Sequence, residues 1–283
     1  MSEKTHGVKT MRKSEKEQAA KRINYNLRIG AVITITMCVF ILIGFVYTPY
    51  NPEAMDETQK LAGISWHHFL GCDNFGRDIF SRVLKGSGTT LLVATGTILI
   101  GTGAGIILGA LTGYYGGWLD EILMRINDAI FAFPSILLAL VFISLLGTGT
   151  VNIVIALGIA FIPSFARIVR SEFLRCKNMD YVKQAKLICA GDLRIMFVHI
   201  LPNTLPVLLS SVMIGFNNAV LAEAGMSYLG IGVQPPFASL GRMLSEAQAY
   251  LFTRPGYALS IGIFIILLVL GFGLLGEGIK ELK

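Results

Sequence analysis

Six long apolar runs, separated by polar and charged stretches, set the plan of this chain. They are Ile29–Tyr47, Leu91–Tyr114, Ala129–Leu146, Val151–Phe165, Leu205–Leu221 and Tyr257–Leu275, and no Asp, Glu, Lys or Arg interrupts any of them. A hydrocarbon core of about 30 Å takes roughly 20 residues of helix. Helix is also the form that satisfies every backbone polar group within its own segment there. The pattern predicts an all-α membrane protein with six transmembrane helices, spanning residues 29–283 behind a polar segment at 1–28. The fourth run is short before Pro163 and has to draw residues from one end. The fifth contains Asn217 and Asn218, which should face protein or water rather than lipid.

Composition agrees. The chain is 53% apolar and 15% charged, where a soluble domain carries about 25% charged residues. Its first run is too long for a signal-peptide core, and no small-residue cleavage site follows, so it reads as an uncleaved helix. The net charge of +6 reports topology rather than nucleic-acid binding. Lys4, Lys9, Arg12, Lys13, Lys16, Lys21, Arg22 and Arg28 crowd the N-terminal segment, and Arg167, Arg170, Arg175, Lys177, Lys183, Lys186 and Arg194 crowd the stretch to Asn203. The loops 48–90 and 222–256 are poorer in Lys and Arg for their length. Lys/Arg-rich segments stay in the cytoplasm, so both termini and the 171–203 loop are expected inside, with 48–90 and 222–256 outside. The connector 115–128 falls inside. Cys38, Cys72, Cys176 and Cys189 are scattered without C-x-x-C spacing, which argues against a disulfide framework.

The second run carries Gly101, Gly105, Gly109 and Gly113 on one helical face. Small residues at this spacing let another backbone approach closely in the membrane. The alternative, a dinucleotide loop at Gly101–Gly105, needs a preceding strand and a soluble βαβ unit. No G-x-x-x-x-G-K-[ST] phosphate cradle occurs; if ATP drives this protein, a partner holds it.

The 171–203 loop is too long and patterned for a plain connector. Asn178 or Asp180 can cap a helix. Tyr181, Ala185 and Ile188, flanked by Val182 and Cys189, form an apolar strip at helical spacing. Gly191 can end that helix in a left-handed conformation. A second short helix runs from Asp192 to about Ile200, where Pro202 stops it. Such a helix-turn-helix is suited to dock on a partner, or else to lie on anionic lipid.

Three segments carry a family resemblance. Tyr181-Val182-Lys183-Gln184-Ala185-Lys186 followed by His199-Ile200-Leu201-Pro202-Asn203 resembles the cytoplasmic EAA loop of binding-protein-dependent ABC permeases. Leu70-Gly71-Cys72-Asp73 with Gly76-Arg77-Asp78 and Ser81-Arg82 is similar to an external segment of the dipeptide, oligopeptide and nickel permease group. Ser227-Tyr228-Leu229-Gly230-Ile231-Gly232-Val233-Gln234-Pro235-Pro236 is similar to that group's signature before the last helix. The chain depart from the loop's usual Glu-Ala-Ala and Gly, with Lys183-Gln184-Ala185 and Cys189. The resemblance implies a type I importer permease of the second ("C") kind in a bacterial cell membrane, with cytoplasmic coupling helices. It implies a second related permease, two ABC ATPases that hold ATP and magnesium, and an external binding protein that delivers peptide, or else nickel or a metal chelate. This chain is then no enzyme and needs no cofactor or nucleic acid; lipid surrounds it.

The same reading makes Tyr181, Val182, Lys183, Gln184, Ala185, Ile188, Cys189, Gly191 and Pro202 the ATPase-coupling loop, with Ala185→Arg expected to uncouple it. Arg77 and Asp78 are candidates for contact with an external partner, or form a local ion pair. Asn217, Asn218 and Glu223 are pore candidates. His67, His68, Cys72 and Asp73 lack metal-ligand spacing and read as solvated loop residues. An ion-driven secondary transporter is disfavoured by the uncharged apolar cores. An intramembrane hydrolase is disfavoured by the absence of G-x-S-x-G and H-E-x-x-H.

Overall fold

A computed structural model describes residues 25–281; most of the basic N-terminal segment thus lies outside the described residues. Within them the chain is helical: α1 Tyr25–Val46, α2 Ile79–Tyr115, α3 Gly117–Phe131, α4 Ser135–Leu146, α5 Thr150–Cys176, α6 Asp180–Leu187, α7 Asp192–Tyr228, α8 Leu240–Gln248 and α9 Pro255–Glu281. Five of these are long and apolar enough to span a bilayer, and the pair α3–α4, bent by 90°, makes a sixth if counted as one span.

Several helices outrun their apolar runs. α2 begins at Ile79, so residues 79–90 are its first turns rather than loop. The Asp78 side chain caps it by accepting the Ser81 N–H at 2.7 Å. The connector 115–128 is likewise mostly helix. The third run is broken at Pro134, which lacks an N–H and disfavours helical backbone in the residue before it; the helix restarts at Ser135. α5 runs through Pro163 into the basic stretch. Pro163 is buried there, and Asn127 of α3 donates to its carbonyl at 3.4 Å, which ties α3 to this part of α5.

Nor does Pro202 stop the helix after the loop. Residues Ile195–Ile200 form a π-helical turn, closed by the Leu201 N–H donating to the Met196 carbonyl. Pro202 follows it in the first turn of the next stretch. Its missing N–H falls where the hydrogen-bond register changes from five residues to four. The predicted short helix and the fifth span are therefore one helix, α7.

The core rests on α2 against α5. The glycine stripe does what its spacing predicts: a Cβ on Gly105 would stand 2.5 Å from the Phe165 Cβ, and one on Gly109 would stand 2.5 Å from the Ala166 carbonyl oxygen. Val93, Ile98, Leu157, Phe161, Phe216 and Val220 fill the buried centre between α2, α5 and α7. α3 is strapped along α5 by Arg170–Asp120 at 2.6 Å, Arg167–Asp128 at 2.6 Å and the Arg167 guanidinium over the Phe131 ring at 3.9 Å. All four cysteines are free thiols.

Candidate functional site

Functional side chains gather at the two ends of α2, about 55 Å apart at 1.5 Å per residue. At the Tyr115 end lies the 177–200 loop. α6 starts after Met179, without a side-chain cap from Asn178 or Asp180. Val182 and Ala185 are buried and Tyr181 half-buried, in a cluster with Val169, Phe173, Ile195, Met196 and Ile200. Burial pushes the Tyr181 phenol up to about 12, so it stays neutral at physiological pH.

The predicted apolar strip is therefore two surfaces. Tyr181, Val182 and Ala185 seat the loop on its own protein. Ile188 points away, 78% exposed, with Leu187 at 82% and Leu193 at 67% beside it. The cause is the turn after α6. The Ala190 N–H donates to the Ala185 carbonyl and the Cys189 N–H to that of Lys186, both at 3.0 Å. This is a Schellman turn, and it swings Ile188 out of the strip. Ala185→Arg would thus disrupt folding of the loop rather than probe a docking face. The left-handed residue is Cys189 at φ 56°; Gly191 is extended at φ −65° and precedes α7. A side chain in that conformation costs about 1–2 kcal/mol relative to glycine. Cys189→Gly is therefore expected to stabilise the loop by about 1 kcal/mol, read as slower amide hydrogen exchange over residues 180–195; unchanged or faster exchange would refute the strain.

Lys183 pairs with Asp180 at 3.0 Å on the exposed side, where Gln184 and Cys189 also lie. Pro202 is exposed at the root of the long helical stretch. Tyr114 was not legible as a loop residue. Its hydroxyl donates to Asp192 at 2.6 Å and the Lys186 ammonium sits 5.5 Å from its ring centre, which ties the loop to the end of α2. Its place one residue after Gly113 in the packing stripe was the available signal.

At the Ile79 end, the two motifs read as separate loops interlock. Asp73 organises the first. Its carboxylate accepts the Phe75 and Arg77 N–H groups at 2.8 and 3.0 Å and the Arg77 Nε at 2.7 Å. Gly76, at φ 75°, packs where a Cβ would strike the Asp56 carbonyl oxygen. Arg77 and Arg82 then reach Glu246 of α8 at 2.9 and 3.1 Å. Arg77 and Asp78 are buried at 7% and 4%, with their charged groups turned to partners within the chain. This is the ion-pair alternative, in a buried and larger form. His68 is no solvated residue either: it bonds Asp78 at 2.8 Å and lies against the Tyr50 ring. Among the described residues no group of three or more His, Cys, Asp or Glu could hold a metal ion. Burial pushes the Cys72 thiol up to about 11.

The second motif closes on Ser227. Its hydroxyl donates to Glu223 at 2.6 Å and accepts the Val233 N–H at 3.0 Å. Glu223 is fully buried inside α7, with the Thr90 and Ser239 hydroxyls also against its carboxyl group. Thr90 in turn accepts the Leu240 N–H at 3.2 Å. Glu223 thus lies buried where α2, α7 and α8 meet, and it is not among the residues lining the clefts beside α5. Of the asparagines, Asn217 turns toward Gly273 of α9, while Asn218 is exposed and lines two clefts beside α5.

A bundle of membrane-spanning helices, with a seated loop offering apolar side chains at one end and interlocked turns at the other, defines a multi-pass helical membrane protein. A family model described as "binding-protein-dependent transport system inner membrane component" matches residues 105–280. The chain belongs to that family. It is 38% identical over 261 residues, 90% of this chain and 87% of the relative, to the glutathione transport system permease protein GsiD of Pectobacterium atrosepticum. It is 37% identical over 272 residues, 93% and 88% of the two chains, to the dipeptide transport system permease protein DppC of Alkalihalophilus pseudofirmus. Its fold is shared with a chain of the inward-facing MetNI methionine ABC transporter at TM-score 0.59 and 18% identity, covering 71% of this chain and 96% of that one. The chain is a transmembrane permease subunit of a bacterial ABC importer, a non-catalytic inner-membrane component that works with ATPase and substrate-binding partners.

Proposed function

We propose that this chain forms half of a membrane conduit for di- or oligopeptides, beside a second related permease. Two ATPases, which hold the ATP and magnesium, dock at the α6 end. The observation that carries the docking is the outward apolar patch of Leu187, Ile188 and Leu193, rimmed by Lys183 and Lys186. Exposed apolar side chains on a loop whose other face is firmly seated suit a partner protein. The Lys/Arg-rich loop favours a cytoplasmic α6 end with both termini inside. Lipid covers the outer faces of α1 and α9, where Val32, Ile35, Leu259 and Ile266 are exposed. Relatives named for dipeptide and glutathione transport favour a peptide cargo over nickel or a metal chelate.

The test is Ile188→Asp combined with Leu187→Asp. Membrane insertion and pairing with the second permease should persist. Peptide uptake in the reconstituted system should fall at least tenfold, and ATPase activity should no longer rise with loaded binding protein. Uptake at the wild-type rate would remove the docking assignment.

A further inference from the structure

Three clefts beside α5 and α7 share lining residues and form one groove. The first, of about 280 Å³, opens near the Pro134 bend and includes Ser164 and Asn218. The second, of about 140 Å³, keeps Ser164 and Asn218 and adds Ser211. The third, of about 430 Å³, keeps Ser211 and ends at Ser171, Glu172 and Lys280. The groove therefore runs from the α3–α4 break toward the end of α5 that carries the α6 loop.

Its chemistry differs from that of the neighbouring outer surface. Asn218 is exposed, and neither its side chain nor that of Ser164 hydrogen-bonds another group among the described residues. An amide facing hydrocarbon without a partner costs several kcal/mol, so lipid is the wrong neighbour for this face. The two upper clefts contain hydroxyl and amide groups and no ionised side chain. Glu172, at the lower end, is paired with Arg175. Ser211 donates to the Val207 carbonyl at 2.8 Å and offers its oxygen as an acceptor, while Ser164 and Asn218 can both donate and accept; such a surface does not select charge and complements the N–H and C=O groups of a peptide main chain.

We propose that the groove bearing Ser164, Ser211 and Asn218 is this chain's wall of the conduit, and that these groups hydrogen-bond the main-chain amides of a short peptide in transit. The proposal rests on the peptide-permease reading above. It is tested in the complete transporter reconstituted with its partners, after replacing Cys38 and Cys189 with alanine. Asn218→Cys and Ser164→Cys should react with a membrane-impermeant methanethiosulfonate at least tenfold faster than Leu99→Cys on the outer face of α2. Trialanine with its binding protein should slow that reaction. Labelling as slow as at Leu99→Cys would show that lipid or the second permease covers the groove and would overturn the proposal. Asn218→Leu, with normal assembly, should lower trialanine uptake at least tenfold; unchanged uptake would overturn the contact with peptide. Fast labelling of Asn218→Cys and Ser164→Cys together with a wild-type complex that imports no peptide would overturn the peptide cargo and leave the conduit wall standing.

Discussion

Asp73→Ala is expected to destabilise the folded chain by about 3–5 kcal/mol, the usual cost of removing one partner from a buried ionic group. Asp73 is fully buried and Arg82 is 1% exposed. The carboxylate holds two backbone N–H groups and the Arg77 guanidinium, and lies 3.5 Å from Arg82. Without it, Arg77 and Arg82 are left with Glu246, which Arg242 also contacts at 3.4 Å, and the turn that positions them loses its acceptor. At roughly 2–4 °C per kcal/mol for a chain of this size, the thermal midpoint in detergent should fall by about 10 °C. Asp73→Asn should lose less, because its carbonyl can still accept the Phe75 and Arg77 N–H groups. A midpoint within a degree or two of wild type for Asp73→Ala would show that the network is not what joins the first loop to α8.

Gly105→Leu and Gly109→Leu should prevent α2 from packing on α5. The added Cβ alone would meet Phe165 or the Ala166 carbonyl at 2.5 Å, and backbone cannot yield as a flexible side chain can. Overpacking of this kind costs about 3 kcal/mol or more, and the expected readout is loss of the assembled transporter from membranes. Gly103 is the control. A Cβ there meets nothing within 4 Å, so Gly103→Ala should assemble normally, with a helix-propensity gain of up to about 1 kcal/mol. Equal expression and assembly for all three variants would refute the close approach.

The number of apolar runs and the glycine-packed interface were legible in sequence because both depend on local periodicity. The true start of α2 was not. Residues 79–90 read as part of the 48–90 loop, yet Arg82 lies in the first turns of α2, paired with Asp73 and with Glu246, a residue far along the chain. The prolines misled for the same reason. Pro163 and Pro202 are breakers by local rule, but the packed α5 helix runs through the first and a π-helical turn precedes the second. In the loop, helical spacing gave Tyr181, Ala185 and Ile188 one face, and the turn at Cys189 split it. Asn217 and Asn218 differ by about 100° around one helix; only the packing of α9 tells which of them is left facing the groove.

The π-helical turn has one more consequence. Because it lets α7 pass Pro202 without ending, the segment that leaves the loop at Asp192 is continuous with the segment that reaches Tyr228, a rod of about 55 Å. A hinge at the membrane surface would let the loop move while the span stayed still. Continuous helix ties the two together: a rigid tilt of about 3° at the Asp192 end displaces the Ser227 end by about 3 Å at this length, and any bend falls at the π turn or at Pro206. The Glu223–Ser227 joint, buried against α2 and α8, sits where that displacement arrives.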